Sequence, residues 1–322
     1  MPVYQRRWSA QLCAPLAALL VAAGSVAVAE RDLYRQPFSS QSPWNVSLGE
    51  TPYGDAAWEP LDLGEQAHVH INSNSWSIPF YLAADTTPER PIYIRKLEDY
   101  VEAPVPEDAR PAEGTDGHLA VMSADRTTIH EFFRYDEAGQ ADIYRRLDAP
   151  GTGVAERPGW HIGTRAYGGS SVGGLIRRWE LDAGRIDHAL AVALSLNFLK
   201  RGFVPPATTE DANSEKNYTG HIPMGALLRL PADLQPEEHL ERPLALLIAR
   251  ALQTHGAYVV DSGGSNALLF YAEPGFDDDL VAASANELDR ILPLLQWTTP
   301  ESGLDVGGFC QAGERPAALT SP

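Results

Sequence analysis

The chain has 322 residues, a formal net charge of −18, 44% hydrophobic and 21% charged residues, and two cysteines. So large an apolar fraction excludes a disordered chain, and the negative charge argues against general binding to nucleic acid or an anionic membrane surface. The cysteines are Cys13 and Cys310; Cys13 lies in a segment expected to be removed, so no internal disulfide can form and packing must hold the fold.

Arg6 and Arg7 precede an apolar, Ala-rich run from Leu12 to Val28, and Ala27-Val28-Ala29 has the small-x-small form of a signal peptidase site. Residues 1–29 read as a signal peptide. The expected product is 30–322, a single β-rich domain with an extended N-terminal segment and a loose C-terminal tail. It is expected to be secreted or periplasmic, free of the membrane after cleavage, and monomeric.

The first segment, "LYRQPFSSQSPWNVSLG", is polar and turn-rich and is expected to lie over the surface. "HVHINSNSWSIPFYLAAD" alternates well enough for one or two strands with a turn at Ser73-Asn74-Ser75, and "RPIYIRKL" reads as another. "EDYVEAPVPEDARPAEGTD" is Pro-rich and acidic and reads as a long loop. From Gly117 to Ala149 the pattern is a meander with turns at 123–126 and 136–140.

"GLIRRWELDAGRIDHALAVAL", residues 174–194, reads as a hairpin. "GALLRLP", "AYVVDSG" and "NALLFYAE" supply three further strands. Helix is clear in "PLALLIARALQTHG", where Pro243 suits the first turn and Gly256 the stop, and a shorter helix is expected over 283–295. The fold class is mainly β: an antiparallel β-sandwich or jelly-roll of about ten or more strands, with one or two peripheral helices.

No GxSxG, P-loop, HExxH or CxxC signature is present, which leaves α/β-hydrolases, phosphate-cradle NTPases and zincins without support. The 174–194 stretch is the richest candidate site. On a strand, His188 begins the row Leu190, Val192, Leu194, while Arg178 and Glu180 share one face and Arg177 and Trp179 the other. A three-residue loop would set His188 across from Arg178 and beside Glu180; a four-residue loop would set it across from Trp179. The competing reading is a core histidine bonded to a backbone carbonyl.

His68 and His70 share a strand face and with His118 could make a three-histidine metal site, though no carboxylate signature accompanies them and no cofactor or metal is expected. Asp116, His118 and Glu131 are cleft candidates. Asp261 ends an apolar strand and enters a Gly-rich turn, where a carboxylate can face a ligand.

"SPWN", "GLIRRWEL…GRIDHALAVAL", "PPA", "IPMGALLRL" and "ALQTHGAYVVDSGGSNALLF", in that order, are similar to a family of secreted bacterial hypothetical proteins. The resemblance covers most of the chain after the signal. It implies one intact domain, draws attention to Glu180, His188 and Asp261, and implies no activity.

An exported, disulfide-free β-rich domain suggests action on polysaccharide or oligosaccharide, by analogy at the level of fold. The first expectation is a polysaccharide lyase cleaving a uronate-containing glycan by β-elimination. Arg177 or Arg178 would neutralise the carboxylate, and His188 or His118 with Tyr167 or Tyr258 would move the protons. The alternative is a glycoside hydrolase using paired carboxylates, Glu180 with Asp261 or Glu131 with Glu180. A non-catalytic glycan-binding or envelope protein is the third. Expected catalytic residues are thus His188, Glu180, Arg178, His118 and Asp261, with Arg177, Trp179, Glu131 and Tyr258 binding substrate.

Overall fold

A computed structural model describes residues 31–50 and 57–299, except for the Glu50 side chain. The expected signal peptide and C-terminal tail, with Cys310, lie outside the described residues. The first strands are β1 (Glu59–Pro60), β2 (His68–Asn72), β3 (Phe80–Leu82), β4 (Arg90–Ile94) and β5 (Asp99–Ala103). Next come β6 (Leu119–Met122), β7 (Thr128–Phe133), β8 (Gln140–Ala141), β9 (Ile143–Asp148), β10 (Leu190–Leu194) and β11 (Leu199–Phe203). The last are β12 (Ile222–Met224), β13 (Leu227–Arg229), β14 (Ala257–Ser262), β15 (Ala267–Tyr271) and β16 (Gln296–Thr298). Four α-helices are found among the described residues: α1 (Arg178–Ala183), α2 (Ser214–Asn217), α3 (Pro243–Thr254) and α4 (Asp278–Leu288).

The molecule is mainly strand, with its helices few and short, as composition and punctuation suggest. Seven strands form the principal sheet in the order β1-β16-β13-β14-β10-β15-β2. It is mixed rather than purely antiparallel: β10 runs parallel to β14, and β15 parallel to β2. Strand β10, "LAVAL", is buried along its whole length, as a strand covered on both faces must be.

A four-stranded sheet, β3-β6-β7-β9, a three-stranded one, β5-β4-β8, and a parallel pair, β11-β12, make up the rest. Strand β6 joins two cores by simple alternation. Ala120 and Met122 belong to the principal core, Leu119 and Val121 to a smaller one with Ile92, Ile94 and Phe132. Contacts place the described residues from Asp32 onward in one unit.

Three expectations need correction. The 174–194 stretch is not a hairpin: its first half is helix α1 and only its second half is a strand. The Glu180 side chain accepts the Arg177 N–H at 2.8 Å, and Gly184, left-handed at φ 68°, returns its N–H to the Glu180 and Leu181 carbonyls. The acidic 98–116 loop contains β5, which pairs antiparallel with β4 from Asp99 to Ala103. Finally, the N-terminal segment does not lie over the surface, because Phe38 and Trp44 are among the largest fully buried side chains.

The meander is in place, β6-β7-β9 pairing antiparallel in sequence. Helix α3 begins at Pro243, and α4 starts five residues before its expected position because Asp277 caps it by accepting the Leu280 N–H at 2.8 Å.

Trp44 pins the N-terminal segment to the principal sheet and to the 167–174 loop. Its ring meets Tyr167 and Tyr258 edge-on at 6.0 and 5.5 Å, its carbonyl accepts the Ala189 N–H at 2.7 Å, and a Cβ at Gly173 would overlap it. Trp44→Ala should therefore cost about 3–5 kcal/mol of unfolding free energy, measured by urea titration. A loss below about 1 kcal/mol would mean that the segment is an ornament on the fold.

Candidate functional site

Two groups of buried charge occupy the molecule, and they differ in access. The first is built on α1. Glu273, at the end of β15, accepts the Arg177 Nε–H and the Arg178 backbone N–H, each at 2.7 Å, and so caps the helix. The Arg177 guanidinium lies between the Tyr34 and Phe80 rings, 4.8 and 4.9 Å from their centroids. His188 places Nε2 2.9 Å from Glu180 Oε1 and donates Nδ1–H to the Ala189 carbonyl at 2.9 Å.

Both ring nitrogens of His188 thus face acceptors, which favours the doubly protonated ring. Burial pulls its pKa down, but the Glu180 carboxylate outweighs burial and leaves it raised. Glu180 is 1% and His188 8% exposed, so this network is closed.

The second group opens on a cleft of about 1630 Å³ lined by the 94–97 turn, β9, the 155–166 loop, the 201–215 segment and the end of β14. Asp261 reaches it through a bulge: Val192 pairs with Val259 but Ala193 pairs with Asp261, so Val260 is the extra residue. The Val260 carbonyl is taken by the Tyr167 N–H at 3.1 Å. Arg165, from the 163–171 turn, sets Nη1 3.3 Å from Asp261 Oδ2 while its guanidinium lies 3.5 Å above the Tyr271 ring.

The segment that carries Arg165 is held by Glu131. This buried carboxylate on β7 accepts Ser170 Oγ–H at 2.5 Å, Ser171 N–H at 2.9 Å, Thr164 N–H at 3.0 Å and Thr164 Oγ1–H at 3.2 Å. Burial still leaves the Glu131 pKa raised against the pull of those donors. With its proton directed at Glu131, Thr164 Oγ1 accepts from His118 Nδ1–H at 3.4 Å. Burial and then Arg165 lower the His118 pKa to about 3, so the ring is neutral at pH 7.

Burial pushes the Asp261 carboxyl up to about 7; Arg165 opposes, and Asp211 and Asp116 add to the rise. Asp211 accepts a short hydrogen bond from the Tyr218 hydroxyl. Burial, and then Asp211, raise the Tyr218 pKa, so that hydroxyl keeps its proton. At the mouth stand Tyr144, Phe203 and Trp160, the last 53% exposed.

Of the residues expected to act, His118 and Asp261 line this cleft and Glu131 lies beneath it; Asp116 lines it too. Glu180, His188 and Arg177 form the closed network instead. Arg178 is exposed beside Glu273, and Trp179 lies half-buried under Arg35, 5.3 Å away. Tyr258 and Tyr167 are core rings packed on Trp44. His68 and His70 touch on β2, but among the described residues no three His, Cys, Asp or Glu side chains converge as a metal site.

Sequence reasoning passed over Arg165, Asp211, Tyr218 and Trp160. The only signal was local: "GTRAYGG" is glycine-rich around an arginine, and "EDANSEKNY" places acids ahead of a tyrosine.

Removing His188 leaves a buried Glu180 carboxylate unpaired. His188→Ala should lose about 3–5 kcal/mol in urea unfolding, while the folded fraction keeps whatever activity the cleft has. Native stability with lost activity would return the pair to the chemistry.

No family model, curated protein or solved structure matches the chain, so the reading of its function rests on the geometry of the cleft.

Proposed function

We propose that the protein is a glycan-processing enzyme whose reaction takes place on the cleft floor, and that hydrolysis with paired carboxylates suits this floor best. The observation that carries the reading is that Asp116, Asp211 and Asp261 all line one open cleft, the other two adding to the raised pKa of Asp261, with an exposed tryptophan in the same lining. Tryptophan exposed beside a cleft gives a sugar ring a flat apolar face to stack on.

Neighbouring carboxylates with separated proton affinities are what acid-assisted glycoside cleavage requires. Asp261, with its pKa near 7, holds a proton over the acid range and would pass it to the glycosidic oxygen as the C–O bond breaks. The carboxylate so formed faces Arg165 at 3.3 Å, which stabilises the charge as it appears. Asp211, held by the Tyr218 hydroxyl, would act on the opposite side, as a nucleophile at the anomeric carbon or by taking a proton from water.

β-Elimination remains the second reading, supported by Lys96 and Arg145 on the cleft wall, where a uronate carboxylate could be neutralised. The first tyrosines and histidine considered for it, Tyr167, Tyr258 and His188, are all buried. The cleft lining supplies Tyr144; His118, the other histidine named for this role, also lines the cleft but is only 3% exposed.

Incubation with a polysaccharide panel should release reducing ends without a rise in the ultraviolet enone band; the rise would indicate elimination. Asp261→Asn should lower kcat by at least about a hundredfold. The wild-type rate should fall as pH rises through about 7, where the acid loses its proton. A rate unaffected by that substitution would remove Asp261 from the chemistry, and retention on a glycan with neither product would leave a binding protein.

A further inference from the structure

The cleft has a wall of opposite charge to its floor. Lys96 follows β4, and its backbone N–H reaches the Asp142 carbonyl at 3.3 Å. The acids of this region are already committed: Asp142 pairs with Arg95 at 2.5 Å and with Arg134 at 3.3 Å, and Asp136 pairs with Arg95 at 2.8 Å. Among the described residues Lys96 has no carboxylate within ion-pair distance.

Arg145, on β9, stands directly across from Glu131 on β7. Glu131 is occupied by its four donors, and the only hydrogen bond of the Arg145 side chain among the described residues runs from Nη1 to the Tyr144 carbonyl at 3.0 Å. Its Nε is buried without an acceptor. His161 lies close enough to both cations that, after burial, Arg145 and Lys96 lower its pKa. In a chain of net charge −18, two cations without an ion pair among the described residues, Arg145 feeling only the occupied Glu131 carboxylate across from it, and an imidazole lining the same cleft are not accounted for by surface ion pairing.

We infer that Lys96, Arg145 and His161 form a subsite for an anionic substituent of the glycan, a uronate carboxylate or a sulfate ester. This rests on the reading of the cleft as a glycan site. Arg145 offers planar donors and His161 an N–H, while Lys96 supplies a mobile charge at the mouth. Trp160, next to His161 in the chain, would stack the ring that bears the substituent. The acidic floor and the basic wall then divide the work: the wall selects and orients, the floor reacts.

The test is affinity electrophoresis of the full chain through gels containing alginate, dextran sulfate or hydroxyethyl cellulose, which offer carboxylate, sulfate and neutral polymers. The acidic protein should be retarded by at least one of the anionic polymers more than by the neutral one, and the two anionic gels tell carboxylate from sulfate. Lys96→Glu, at an exposed position, should weaken that affinity by about tenfold or more. Arg145→Gln should do the same, with its thermal transition measured alongside.

Equal retardation of Lys96→Glu and wild type, no retardation by either anionic polymer, or equal retardation by the neutral one would each overturn the subsite. Asp261→Asn separates this from the reaction. If it keeps full turnover while binding still depends on Lys96, the subsite stands and the hydrolytic reading falls. If turnover of a neutral glycan needs Asp261 and no anionic polymer binds, the reverse holds.

Discussion

A carboxylate removed from water must find donors or give up its charge, and the cleft depends on how Glu131 meets that demand. Its side chain sits on β7, in the four-stranded sheet, yet every donor that reaches it comes from the irregular 164–171 segment. That segment has no ladder of its own to hold it, so the buried charge replaces one. Because Thr164 is fixed, Arg165 is aimed at Asp261. Because Ser170 and Ser171 are fixed, the chain enters the Gly173 turn against Trp44. One desolvated group thereby couples the second sheet, the principal sheet and the cleft floor.

The contrast between the two charge networks shows why residue type alone does not mark a site. Arg177, Glu180, His188 and Glu273 comprise the acid, base and cation that catalysis commonly uses, but they are buried and face one another or backbone, with Glu180 Oε1 held by its ion pair to His188 rather than by a hydrogen bond. Their arrangement serves to anchor a six-residue helix too short to stand by its own propensity. Asp261 and Arg165 have fewer partners. Two guanidinium nitrogens of Arg165 find no acceptor among the described residues and press instead on the Tyr271 face, and the Asp261 side chain is 19% exposed. Access to a cavity, not the presence of charge, separates the proposed reaction floor from the scaffold.

Legibility in the sequence followed the range of the interactions. Helix α3 was readable because Pro243, a broad apolar face and Gly256 are all local. So was the meander, whose turns lie within a few residues of the strands they join. Helix α1 was not, since Arg177 is a poor cap by type and "GLIRRWEL" alternates like a strand; its true caps are Glu273, far along the chain, and Gly184. The parallel pairing of β10 with β14 is likewise non-local and leaves no mark on either strand. Asp261 could be picked out because an apolar strand ran into a Gly-rich turn, but the bulge at Val260 and the clamp by Arg165 depend on a neighbour that sequence spacing does not reveal.

The net charge also takes on a different meaning once the cleft is in view. A chain this acidic repels polyanions at a distance, which at first weighs against an anionic glycan. At physiological salt, however, charges exposed to solvent are screened beyond about 8 Å, so the far surface contributes little inside the cleft. What a bound sugar meets is local: Lys96 and Arg145 on one wall, and Asp116, Asp211 and Asp261 below. Burial is what chiefly keeps the proton on Asp261; Arg165 pulls the other way, and Asp211 and Asp116 add smaller contributions to the rise. On the proposed reading, burial of Asp261 and the placement of Lys96 and Arg145 on the wall would let one cleft favour an anionic substituent and still hold a proton over the bond to be broken.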